Sequence, residues 1–85
     1  MKNRLDVRKA LRVCDKATRF GRKGADNYEL DGLKVRPHFD GYTVTVSDPQ
    51  TSLHLHFHNR YQIHSEDGRA MDAFIERLDL IDQRY

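Results

Sequence analysis

Two Asp-Gly dipeptides, Asp31-Gly32 and Asp40-Gly41, each stand between stretches in which apolar and polar residues alternate. No other feature of the chain restricts its fold as much, because Asp-Gly between alternating hydrophobics is the strongest short-range hairpin signal. Folding at Asp31-Gly32 sets Leu30 opposite Leu33, Glu29 opposite Lys34 and Tyr28 opposite Val35. Apolar meets apolar and acid meets base, so the register supports itself. Folding in the same way at Asp40-Gly41 sets Phe39 opposite Tyr42, His38 opposite Thr43 and Val35 opposite Val46. In "SDPQTS", Pro49 suits the second position of a type I turn, and the strands it joins pair Val46 with Leu53, Val44 with Leu55 and Tyr42 with Phe57. The middle of the chain therefore reads as an antiparallel meander of four or five strands.

Helical periodicity flanks this meander. Residues 3–20 contain neither Gly nor Pro. Val7, Ala10, Leu11, Cys14, Ala17 and Thr18 recur on one face, with Val13 and Phe20 beside them, and Gly21 and Gly24 end the helix. In residues 69–85, Met71, Phe74, Ile75, Leu78, Ile81 and Tyr85 form an apolar face, and Asp72, Glu76 and Asp79 fall on the opposite side. The expected fold is α+β in the order α-β(4-5)-α, a single small domain over 1–85. Tyr28, Leu30, Leu33, Val35, Phe39, Tyr42, Val44, Val46, Leu53, Leu55 and Phe57 share one sheet face. Both helices pack on that face and leave the other wet.

A chain of 85 residues buries only about 60% of its unfolded surface, which leaves little room for a deep substrate cavity. The lone Cys14 excludes an internal disulfide and a thiolate-rich zinc site, and fits a reducing cytoplasm. The start "MKNRLDVRKA" has no apolar core of a signal peptide. No run approaches the roughly 18 apolar residues of a membrane span. Nucleophile elbow, phosphate-cradling glycine loop and Cys-x-x-Cys are all missing. The expectation is a non-catalytic protein without a cofactor.

Charge supplies the first candidate site. Residues 1–24 carry nine basic residues against two acidic ones, a net +7, and residues 66–85 carry three against six, a net −3. Arg4, Arg8, Arg12, Lys16 and Arg19 lie on the face of the first helix away from its apolar stripe. This basic face is the expected contact surface. The first choice of partner is an acidic protein surface or a second copy, because one chain carries both a basic and an acidic helix. Non-sequence-specific nucleic-acid binding through the same helix is the alternative. It ranks second because the strand aromatics are expected on the core face, which leaves no stacking platform. The double-stranded-RNA-binding domain shares the element order but begins its last helix with a basic cluster, where this chain reads "SEDGRAMD".

Histidine supplies the second candidate. Four of the five histidines fall within "LHLHFHNRYQIH", residues 53–64. Leu53, Leu55 and Phe57 face the core, so His54, His56 and His58 face solvent. A three-residue loop at His58-Asn59-Arg60 sets His64 directly across from His54, with Cβ atoms about 5 Å apart. His54, His56 and His64 then form a triangle able to hold one divalent ion. A two-residue turn at Asn59-Arg60 breaks that triangle. Metal binding is therefore a second alternative function.

Finally, "FDGYT" (Phe39 to Thr43) followed by "FHNRY" (Phe57 to Tyr61) resembles a family of short bacterial proteins grouped only as a domain of unknown function. The basic N-terminal helix and the closing amphipathic helix match as well. The resemblance implies a bacterial cytoplasmic setting and no particular chemistry.

Overall fold

The computed structural model describes residues 5–56, 58 and 60–85. Helix α1 (Val7–Phe20) leads into β1 (Arg22–Lys23), β2 (Tyr28–Leu30), β3 (Leu33–Pro37), β4 (Val44–Asp48), β5 (Thr51–His56) and β6 (Arg60–Ser65), and α2 (Gly68–Arg84) closes the chain. Each strand pairs antiparallel with its sequence neighbour in the order β1-β2-β3-β4-β5-β6. This is the expected α+β meander with one strand more. The addition is β1, which Gly21 makes possible. A Cβ on Gly21 would stand 2.6 Å from both the Ala17 and the Glu29 carbonyl oxygens, so only glycine lets the chain leave α1 and run beside β2.

The Asp31-Gly32 hairpin forms in the expected register, with Leu30 opposite Leu33 and Tyr28 opposite Val35. Its two turn residues take φ of 49° and 86°, the left-handed pair a two-residue turn of this kind needs. The Pro49 turn also keeps its expected pairs, Val46 with Leu53 and Val44 with Leu55.

The Asp40-Gly41 connection departs from the expectation. Val35 does pair with Val46, but β3 stops at Pro37 and β4 starts at Val44. Between them the Asp40 carboxylate accepts from the Tyr42 and Thr43 amides at 2.8 and 3.1 Å, and the Gly41 amide donates to the His38 carbonyl at 3.2 Å. These local bonds replace only the last expected pair, Phe39 with Tyr42, whereas the His38 amide still donates to the Thr43 carbonyl at 2.9 Å, as expected. Phe39 and Tyr42 consequently stand exposed instead of joining the core, and Tyr42 lies at its margin, lining a concavity with Val7, Leu11, Val44 and Leu55. Phe57, also expected in the core, lies outside the described residues.

The core joins Leu30, Leu33, Val35, Val46, Leu53 and Leu55 of the sheet to Ala10, Val13 and Ala17 of α1 and Phe74, Leu78 and Ile81 of α2. Each large side chain buried there contributes about 1.5–3 kcal/mol. The stripe on α1 is rotated from the expected one: Val13 is fully buried, whereas Leu11 and Thr18 are exposed. The cause is that α1 touches α2 as well as β2 and β3, so its buried arc points between them. Similarly on α2, Ala70 is buried, Met71 only half-buried, and Tyr85 leaves the core to stack on Phe20 with ring centroids 5.5 Å apart. Asp6 caps α1 through the Arg8 and Lys9 amides, and Asp67 caps α2 through the Ala70 amide.

Candidate functional site

Part of the basic face of α1, Arg12 and Lys16, engages α2. Arg12 makes a two-pronged bond to Asp82, Nε to Oδ1 at 3.0 Å and Nη2 to Oδ2 at 2.9 Å. Lys16 Nζ donates to the Asp82 carboxylate at 2.9 Å and to its backbone carbonyl at 2.6 Å. One turn earlier on α1, Lys9 bonds Asp79. Hydrogen bonds from Arg12 and Lys16 hold the Asp82 carboxyl far below the usual carboxylate range, and the bond to Asp79 raises the Lys9 ammonium. Asp79, expected on the exposed side of its helix, is thus part of the seam. Arg19 pairs at 3.3 Å with Asp15 of its own helix. Arg8 is exposed with no ion pair among the described residues, and Arg4 lies outside them. The five residues expected to form one free stripe are divided among these roles. The signal for this was present in the sequence: Lys9, Arg12 and Lys16 recur at the same helical spacing as Asp79 and Asp82.

A second group of cations lies on the open face of the sheet. The pairings lay three rows across it. Lys34, Ser47, Ser52 and His64 form one row, and Arg36, Thr45, His54 and Gln62 the next. The third holds His38, Thr43, His56 and Arg60, in which His38 and Thr43 are joined by their backbones and Thr43 Oγ1 lies 3.3 Å from His56 Nδ1. Thr45 is the hub of the middle row: its Oγ1 lies 2.7 Å from His38 Nε2 and 3.0 Å from His54 Nδ1. The two rings cover it so well that it is buried on the nominally wet side. Burial first, then the charges of His64, His38, His56 and Arg36, lower the pKa of His54. Lys34 reaches Glu29 at 4.0 Å. Neither Arg36 nor Arg60 has an ion pair among the described residues.

The expected histidine triangle does not form in its expected shape. The β5–β6 connection is three residues long, but it spans 57–59, so His54 faces Gln62 and His64 faces Ser52. His64 thereby becomes diagonal to His54, with ring centroids 6.1 Å apart, and His56 faces Arg60. Among the described residues, no group of three or more His, Cys, Asp or Glu side chains is placed to hold a metal ion. Cys14 is no alternative ligand, because burial pushes its thiol up to about 12.

At the end of the sheet where β5 passes into β6, an 800 Å³ concavity is lined by Thr43, His56 and Arg60 of the open face together with Tyr42, His58 and Tyr61, and Tyr61 comes from the other face, opposite Leu55. Tyr42 is 62% and Tyr61 42% exposed, and the Phe39 ring stands wholly in solvent on the adjoining loop. Alternation alone places Phe39 and Tyr42 in the core. The sequence does carry a signal for Arg36 and Arg60, since they share the alternation that turns His54 outward. No helix among the described residues is long and apolar enough to cross a membrane.

The family model described as "Protein of unknown function (DUF3081)" matches residues 5–85. The same comparisons return no matching curated protein and no matching solved structure.

Proposed function

We propose, for a chain that belongs to the DUF3081 family of proteins of unknown function, that it is a small non-catalytic module that binds single-stranded nucleic acid along the open sheet face and into the concavity at its end. One observation carries this reading. Arg36 and Arg60 have no carboxylate partner among the described residues, and Arg60 shares a concavity with the exposed rings of Tyr42 and Tyr61. Single strands are held by this combination, with cations tracking the phosphates and aromatic rings stacking on bases. The reading departs from the acidic-protein partner favoured by sequence. Both grounds for that partner have weakened: the basic helix meets its acidic complement within the same chain, and aromatic rings are exposed after all. The lone buried Cys14 supports a reducing setting, and we place the protein in a bacterial cytoplasm.

Fluorescence anisotropy with labelled oligo-dT tests the proposal. The wild type should bind, with an affinity that falls steeply as salt rises. Arg36→Glu/Arg60→Glu should weaken binding by more than about tenfold, because two phosphate contacts become repulsions. Arg8→Glu on α1 should change it little. If Arg8→Glu removes binding and the double variant does not, the contact surface returns to α1. If a glutamate-rich peptide binds and oligo-dT does not, the partner is an acidic protein.

A further inference from the structure

The histidines at the centre of the open face are not needed for that reading. His54 on β5 and His64 on β6 lie diagonally across adjacent strands, with ring centroids 6.1 Å apart and planes inclined by 66°. Two imidazoles that share one ion, each with its nitrogen about 2.0–2.1 Å from the metal, place their centroids about 5–6.5 Å apart. We propose that His54 and His64 chelate one borderline transition-metal ion of the Zn²⁺, Ni²⁺ or Cu²⁺ class, with water completing its coordination.

Three features of the surroundings support the pair. The first is orientation. Thr45 Oγ1, 3.0 Å from His54 Nδ1 and 2.7 Å from His38 Nε2, carries a single proton, so it accepts from one ring and donates to the other. With His54 Nδ1–H donating to Thr45, and Thr45 donating to His38, the His54 Nε2 keeps its lone pair on the side away from Thr45. A metal at Nε2 selects this arrangement, and Thr45 then plays the part that hydrogen-bonded partners of metal-bound histidines usually play. The second is protonation. Burial and nearby cations disfavour the imidazolium of His54, and a metal needs the neutral ring. The third is ligand chemistry, since imidazole suits zinc, copper and nickel and not magnesium or calcium.

The charged and titratable groups of this face also limit the affinity. Arg36 stands in the row of His54, Lys34 in the row of His64, and His38, His56 and Arg60 in the row beyond, whereas Glu29 and Asp40 are engaged by Lys34 and by Thr43. A dication is repelled by Arg36, which points to micromolar binding, about 10 µM. His56 belongs to the row of Arg60 and takes no part.

Isothermal calorimetry with nickel chloride and with zinc chloride, metal alone, on the intact chain at neutral pH is the test. One site is expected. His54→Ala and His64→Ala should each weaken binding by about tenfold or more, as should Thr45→Val through loss of the orienting bond. His56→Ala should leave binding unchanged, and Arg36→Ala should tighten it by removing a repelling charge. Binding should fall as acid protonates the imidazoles, because a metal needs the neutral ring. Circular dichroism of each variant separates lost binding from lost folding. No binding tighter than about 1 mM, or unchanged binding in folded His54→Ala or His64→Ala, overturns the site. So does a loss in His56→Ala equal to that in His64→Ala. Oligo-dT binding is measured without metal, so either proposal can fail while the other stands.

Discussion

The seam between α1 and α2 and the open face of the sheet are both rich in charge, and they treat it in opposite ways. Along the seam, each of Lys9, Arg12 and Lys16 meets Asp79 or Asp82, and the Asp82 side chain is only 17% exposed. Across the sheet, Arg36 and Arg60 meet no acid among the described residues, and the polar groups nearby bond mainly to one another through Thr43 and Thr45. A satisfied charge holds two helices together, and an unsatisfied one remains available for a ligand. A residue's sign therefore says less about function than whether its counter-charge belongs to the same chain.

Perturbing the joint between the two regions should have the largest effect. Gly21→Ala forces a Cβ against two backbone carbonyls, at the point where α1 passes into the sheet. Its unfolding free energy should fall by about 3 kcal/mol, read from urea denaturation. A loss below about 0.5 kcal/mol would mean that α1 is joined to the sheet less tightly than the packing implies.

Next comes the seam itself. Asp82→Ala leaves Arg12 and Lys16 without their carboxylate and should cost about 1–2 kcal/mol. That is more than an ordinary surface pair contributes, because one carboxylate serves two cations in a half-buried position. The pH dependence has a definite sign. The folded-state pKa of Asp82 lies below its unfolded value. Its stabilisation is therefore complete above about pH 5 and is lost as pH falls through the unfolded value and then the lower folded-state value. Urea midpoints of the wild type and Asp82→Asn should differ by a constant amount from neutral pH down to about pH 5 and converge under strong acid. A difference that persists there would mean that packing, not charge, holds the seam.

On the sheet face the effect should fall on binding alone. Arg36→Glu/Arg60→Glu should shift stability by less than about 0.5 kcal/mol while weakening oligo-dT by more than about tenfold. If stability falls instead, the face is structural and the contrast with the seam is lost. The smallest effect belongs to Phe39→Ser. Its ring touches solvent on all sides, so stability should change by less than about 0.5 kcal/mol. Thermal melts of that variant check whether the loop carries any fold energy.

Most of the architecture follows from local rules. Alternation in "YELDGLKV" and the need of Asp31-Gly32 for left-handed backbone decide the first hairpin without help from distant residues. The Pro49 turn, both helices and the outward aim of His54 and His56 follow equally from period and turn chemistry. Local rules fall short wherever a long-range contact or a competing local bond decides the outcome. Asp40 uses its carboxylate on the Tyr42 and Thr43 amides, which widens a loop the dipeptide alone reads as tight and moves two aromatic rings into solvent. Register across the β5–β6 connection differs by two residues from the alternative that aligned His54 with His64. A shift of two preserves which face every side chain takes, so alternation cannot detect it.

The sequence by itself thus determined the order of elements, the two faces of the sheet and the uneven charge of the two ends, because these depend on periods of two and 3.6 residues and on single turn residues. Only the tertiary structure decided which charges are spent and which are free. Asp79 and Asp82 are some seventy residues from Lys9, Arg12 and Lys16 along the chain, and only packing α1 beside α2 brings them within reach.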